Sequence, residues 1–309
     1  MTLRRGMRAL VLLAAIQASP LLAADGPTVP GADANQAHDS GPLDITADRD
    51  LEWLQQDKAY VARGNAVAKR GTVTLTGDLL IAFYRPKAAP DAPAPQPAAA
   101  EAPAKKPGQE GFDTGNTDIW RVVAEGRVHI SSQGKEAWGD RMDYDKDQDV
   151  VVLTGKALKG KTENETVTAR DSLEYWQSRN MGVARGDAVV TKANGQSLAA
   201  DVIGAHFEKD STGHQSLKTI QAIGHVVITT ASDIVHGDEG TYDLDTKRTV
   251  VFGHVRVTRG QSELEGESAD VNMDTGISQV FPGKGKRVRA LFVHEKAAAA
   301  PPATSGARP

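Results

Sequence analysis

Six acidic side chains recur along the chain at a nearly constant distance from a glycine. Asp78, Asp140, Asp171, Asp201, Asp238 and Glu267 follow Gly64, Gly126, Gly155, Gly186, Gly224 and Gly253 by 14, 14, 16, 15, 14 and 14 residues. Carboxylates serve as general acids and bases and bind hard cations. Such chemistry needs one constellation placed once, whereas one residue type at one offset in every unit marks a turn or bulge position. The acidic ladder is therefore expected to be architectural. Four of the six acids follow a glycine directly, and Tyr144, Tyr175 and Tyr242 stand four residues after Asp140, Asp171 and Asp238.

The histidines give the next candidates. His225 and His254 each follow a unit glycine by one residue, and His236 precedes a Gly-Asp pair. In a strand, His225 and His254 fall on the face opposite the apolar positions. There are no cysteines and no close His-x-x-x-His spacing, so no metal is expected. No G-x-S-x-G elbow singles out a serine nucleophile. The run KGKRVR, Lys284 to Arg289, is the one compact basic cluster near the domain's end. A solvated strand end is the favoured reading over attraction to an anionic headgroup or partner.

The elements that position these residues follow from the glycines. The stretches GNAVA, GRVHI, GKALK, GDAVV, GHVVI and GHVRV begin six units about 30 residues apart, apart from one long interval. A period of this kind signals stacked units, none of which buries its own apolar face. Alternation of period two with many β-branched residues makes the units strands rather than helices. Even offsets from the glycine share one face of a strand. That face carries Val128, Ile130, Val190, Val226, Ile228, Val251, Val255 and Val257, and Leu153 joins them as a candidate lining residue. Lys159 breaks the rule in the third unit, and the first unit offers only Ala66 and Ala68. The apolar parity slips by one between Leu75 and Leu80 and between Leu198 and Ile203, a slip that a β-bulge absorbs. One strand per unit in each of two sheets predicts a groove roughly 30 Å long.

A net charge of −4 spread over 309 residues supplies no broad basic footprint for nucleic acid. The absence of cysteine excludes both a disulfide framework and a lipidated N-terminus. Residues 1–24 read as a secretory signal, with Arg4, Arg5 and Arg8 before an apolar run. Pro- and Ala-rich composition marks 25–42 as a linker, 86–111 as an insertion and 296–309 as a tail. One domain spans 43–295, because the repeat stands on both sides of the insertion.

The phrases ITADRDLEWLQQDKAYVARGNAVAKRGTVTLTGDLLIAFY and VVAEGRVHISSQGKEAWGDRMDYDKDQDVVVLTG resemble the OstA-like repeats of the LptA family of lipopolysaccharide transport proteins. The resemblance implies an all-β fold, an OstA-like open β-jellyroll in which two antiparallel sheets form a V-shaped groove. It implies a periplasmic bridge, not an enzyme and without a cofactor, that shields lipopolysaccharide acyl chains between the inner and outer membranes. LptC-like and LptD-like neighbours would join through edge strands, and further copies would join head to tail. A relative of LptC or of the LptD N-terminal domain, and a structural repeat protein without lipid cargo, are the alternatives.

Overall fold

The computed structural model describes residues 43–86, 117–209, 215–272 and 278–293. The predicted signal, linker and tail, and all of the insertion except Pro86, lie outside those residues.

Eighteen strands follow one another: β1 (Asp44–Thr46), β2 (Asp50–Leu54), β3 (Ala59–Arg70), β4 (Val73–Pro86), β5 (Thr117–Ser132), β6 (Lys135–Asp145), β7 (Val150–Thr154), β8 (Leu158–Lys161) and β9 (Glu165–Ala169), then β10 (Ser172–Trp176), β11 (Met181–Lys192), β12 (Ser197–Lys209), β13 (Gln215–Thr229), β14 (Asp233–Asp243), β15 (Arg248–Arg259), β16 (Ser262–Asn272), β17 (Ser278–Phe281) and β18 (Arg289–Leu291). Every pairing is antiparallel, and the long strands pair with their neighbours in sequence. Pro86 pairs with Thr117, so the insertion lies in the connection from β4 to β5.

The ladders are not continuous. In β3, Gly64 and Asn65 stand opposite a single residue of β4, and the same two-against-one step recurs at Gly126, Gly186, Gly224 and Gly253. The glycine and its successor both have positive φ, for example +79° at Gly224 and +48° at His225. This is the bulge in which glycine supplies the left-handed residue and the strand bends. Because the bulges align from strand to strand, they fold the whole ribbon along one crease into two wings, and this is the V of an open jellyroll. Leu75 and Leu80 both end up buried, so the bulge does absorb the parity slip.

Ten long strands cross the crease. Four short pairs, β1 with β2, β7 with β8, β9 with β10 and β17 with β18, give one strand to each wing. Each wing thus has fourteen strands among the described residues, roughly 60 Å at the usual strand spacing. The expected 30 Å is corrected, because each 30-residue unit is a strand out and a strand back and contributes two strands to each wing. The third unit is the one whose bulge becomes a break. Gly155 has φ +154° rather than the left-handed value, and the strand resumes only at Leu158. The buried positions there are Leu158 and Gly160, while Lys159 faces out over the Trp138 ring at 5.5 Å.

Candidate functional site: the space between the wings

Beside the crease the inward side chains are small. Ala62 and Ala66, Ala124 and Val128, Ala184 and Ala188, Ala222 and Val226 flank successive bulges, each at most 5% exposed. Alanine and valine let the wings converge, and the apex is packed solid. One contiguous core runs from Ala62 to Leu244, and a second small cluster holds Val251, Val255 and Ala269.

All nine candidate lining residues lie on this inner face. Val128, Ile130, Leu153, Val190, Val226, Val251 and Val255 are buried, while Ile228 and Val257, further from the crease, are half-buried. The intervening Arg256 points outward and pairs with Glu263 at 2.9 Å. His129 stacks on Trp138 on the outer face, with ring centroids 5.1 Å apart.

One inner row was not singled out from the sequence. Cross-strand pairing runs from Trp53 through Tyr60, Ala82, Val122, Tyr144, Val151, Tyr175, Gly182, Ala205 and Ile220 to Tyr242. The tyrosines four residues after an acid were its signal. Tyr175 is 1% exposed and accepts a hydrogen bond from Gln215 Nε2 at 2.8 Å. At Gly182 and Ala205 the row has almost no side chain. There an open, shallow cleft enters between the wings, lined by Gly160, Val167, Leu173, Val190 and Ile203 with Glu165 and Thr162 at its polar side. A Cβ on Gly160 would meet Val167 at 3.9 Å and Leu173 at 4.0 Å, ordinary van der Waals contact, so a side chain can start there without a clash.

Towards the strand ends of the other wing the inner face becomes polar. Asp233, 4% exposed, accepts hydrogen bonds from Arg259 Nε at 2.5 Å and Nη2 at 2.8 Å. Burial alone would raise the Asp233 pKa, but the hydrogen bonds from Arg259 and Ser232 outweigh it and hold the carboxyl below the ordinary aspartate range. A group depressed on folding stabilises the protein above its unfolded pKa of about 4, and that contribution is lost as pH falls through the folded value. Denaturant midpoints measured from pH 6 to pH 2 are therefore expected to fall more steeply in the wild type than in Asp233→Asn.

The acidic ladder lies on the outside of the crease. Each acid sits against the glycine of the next unit: Asp78 against Gly126, Asp140 against Gly155, Asp171 against Gly186, Asp201 against Gly224 and Asp238 against Gly253. The residue after that glycine, or its backbone, closes the contact. Arg127 donates to Asp78, the Lys156 amide to Asp140 at 2.9 Å, while His225 and His254 lie 2.9 and 2.8 Å from Asp201 and Asp238. The third rung reverses the order, with Arg170 reaching both Asp171 and Asp187. The hydrogen bond from Arg127 holds Asp78 below the usual carboxylate range, and the hydrogen bond to Asp201 raises the His225 pKa. No group of three or more metal-ligating side chains occurs among the described residues. The ladder acids clamp bulges, as their repetition predicted. Of the basic cluster, Lys286 lies 3.6 Å from Glu267 and Arg289 lies 3.7 Å from Glu265.

Comparison with known proteins adds three findings. The family described as LptA/(LptD N-terminal domain) LPS transport protein matches residues 44–175 and, a second time, residues 166–277. The crystal structure of LptH, the LptA homologous periplasmic component of the conserved lipopolysaccharide transport device from Pseudomonas aeruginosa, is similar over 42% of this chain and 95% of that one, at 19% identity and a TM-score of 0.35. No curated protein matches the chain.

Proposed function

The chain belongs to the LptA/LptD N-terminal domain family of lipopolysaccharide transport proteins, and on that premise we propose that it is a periplasmic carrier that shields lipopolysaccharide acyl chains between its two wings. The observation that carries this reading is the inner face itself, fourteen strands long and apolar beside the apex, polar only towards the strand ends, with an open cleft at Gly160 and Gly182. Each methylene exposed to water costs about 0.8 kcal/mol, so a chain of ~12 carbons crossing an aqueous space needs cover worth on the order of 10 kcal/mol. The half-buried Ile228 and Val257 and the cleft-lining Val190 and Leu173 offer that cover. Val128, Ile130, Leu153, Val226, Val251 and Val255 form the floor against which the chains rest.

In this reading the bridge continues beyond one molecule. The unpaired outer sides of the first and last strands accept strands from neighbours in the transport path, LptC-like on the inner-membrane side and LptD-like on the outer.

The test is the lipid itself. Protein purified from membranes is expected to carry lipopolysaccharide detectable by mass spectrometry. Gly160→Leu, whose side chain projects into the cleft, is expected to retain at least several-fold less. Lipid-free wild-type protein, or undiminished lipid on a folded Gly160→Leu variant, would count against the proposal.

A further inference from the structure

Above its apolar floor, the inner face of the wing that contains β8 and β18 ends in a polar lip. Period-two parity carries the inner face from Ala68 to Arg70, from Ala137 to Lys135, from Val190 to Lys192 and from Val257 to Arg259. All four end residues are cations, and each stands where a long strand meets its hairpin turn. The inner row of the facing wing holds Tyr60, Tyr144, Tyr175 and Tyr242 instead.

The cations are turned towards the space between the wings. Lys135, Lys192 and Arg259 are half-buried. Burial lowers the Lys192 pKa, although the Glu165 charge directly opposite on β9 works against it. Glu165 is itself 4% exposed and lines the cleft, so Lys192 stands beside that opening. Arg70 is exposed, yet its charge reaches across to the other wing: burial and Asp149 raise the Tyr144 pKa, and Arg70 opposes them. Cations on the outer side of the same wing behave differently. Lys69 is exposed beside Asp44 of β1, and Lys159 lies over the Trp138 ring.

The lip is not neutralised from within. The inward neighbour of Arg70 is Val73, and that of Lys135 is Ser132. Asp233 holds Arg259 and Glu165 faces Lys192. Four cations against two acids among the described residues leave this lip positive, in a chain whose net charge is −4. A cation held partly out of water gains from an anion that replaces its lost hydration, and an oxygen-rich anion such as phosphate accepts several of its hydrogen bonds. An anion carried on an apolar body satisfies the lip and the floor together.

We infer that Arg70, Lys135 and Lys192 form a row of head-group sites, each taking a phosphate of the cargo while the acyl chains lie on the floor below. This rests on the carrier reading and deepens it, because it names the part of the lipid that charge recognises. Arg259 continues the row but is engaged by Asp233. From β3 to β6 and from β6 to β11 the wing steps across three strands each time. The three sites therefore stand roughly 14 Å apart at the usual strand spacing. Even steps let a head group pass from one cation to the next with no long stretch of uncharged lip between them.

The test offers full-length protein detergent-solubilised lipopolysaccharide, or the same lipopolysaccharide after its phosphates have been removed, and measures the lipid retained. Wild-type protein is expected to retain the phosphorylated form at least several-fold better. Lys135→Gln combined with Lys192→Gln is expected to lose that preference while holding the dephosphorylated form at the wild-type level. Lys69→Gln combined with Lys159→Gln removes the same charge from the outer side and is expected to match the wild type. Lys135→Arg with Lys192→Arg, which keeps the charge, is expected to restore the preference. A wild type without preference, an inner variant that keeps it, or an outer variant that loses it equally would overturn the inference. An inner variant that loses both lipid forms alike would do the same, since the lysines would then serve the fold. Retention of neither form by the wild type would fail the carrier reading itself, whereas equal retention of both fails only the head-group sites.

Discussion

Gly224→Ala is expected to destabilise the protein by about 3 kcal/mol, read as a lowered urea midpoint. Two effects add. A left-handed φ of +79° costs an L-residue roughly 1–2 kcal/mol, and the new Cβ would run into the Asp201 carboxylate, which already sits against the glycine. Two controls separate them. At Gly134, with φ +78°, a Cβ would meet nothing within 4 Å, so Gly134→Ala should show only the conformational part, about 1 kcal/mol. Replacing Asp201 with alanine in the Gly224→Ala background removes the carboxylate but keeps a Cβ 3.0 Å away, so it should return most of the steric part and leave the conformational one. Equal effects at Gly134 and Gly224 would mean that the clamp between acid and bulge contributes nothing.

Leu153→Ala is expected to cost about 3–4 kcal/mol, at the upper end for a residue 0% exposed. The side chain packs on Gly139 and stands opposite both Met142 and Leu173, so its loss opens a cavity where β6, β7 and β10 meet. Val257→Ala, on the same inner face but half-buried near the open end, should cost under about 1.5 kcal/mol. Comparable midpoints for the two variants would show that the wings do not pack on each other at Leu153.

How much of this was legible in the sequence differs from feature to feature. Period-two alternation made strands out of Val128 to Ile130 and Val255 to Val257, and those side chains do face inward. The Gly-x pair announced a bulge because one residue type kept returning, and the acids could be dismissed as catalytic for the same reason. Two things were hidden. A 30-residue period says that units stack but not how many strands each adds to a sheet, so the span came out at half its value. A longer repeat of 122 residues, which aligns 45–67 with 167–189, was masked by the shorter one: Gly64 and Gly186 looked like two of six equal glycines, and only the breaks at Gly155 and between β9 and β10 show where one copy of the longer repeat stops and the next opens. The Lys159 exception was the trace of the break at Gly155. The inner tyrosines gave a signal in their spacing from the acids, but a polar hydroxyl on an apolar face is not apparent from parity counted across a bulge.

The carrier reading turns on which face of a strand meets the lipid. Val257 and Arg256 are neighbours on β15 that point to opposite faces, the first half-buried between the wings and the second exposed beside Glu263. A photo-activatable side chain placed at each in turn, in protein loaded with lipopolysaccharide, should label the lipid from position 257 and not from position 256. Labelling from 256 alone, or equally from both, would contradict the account.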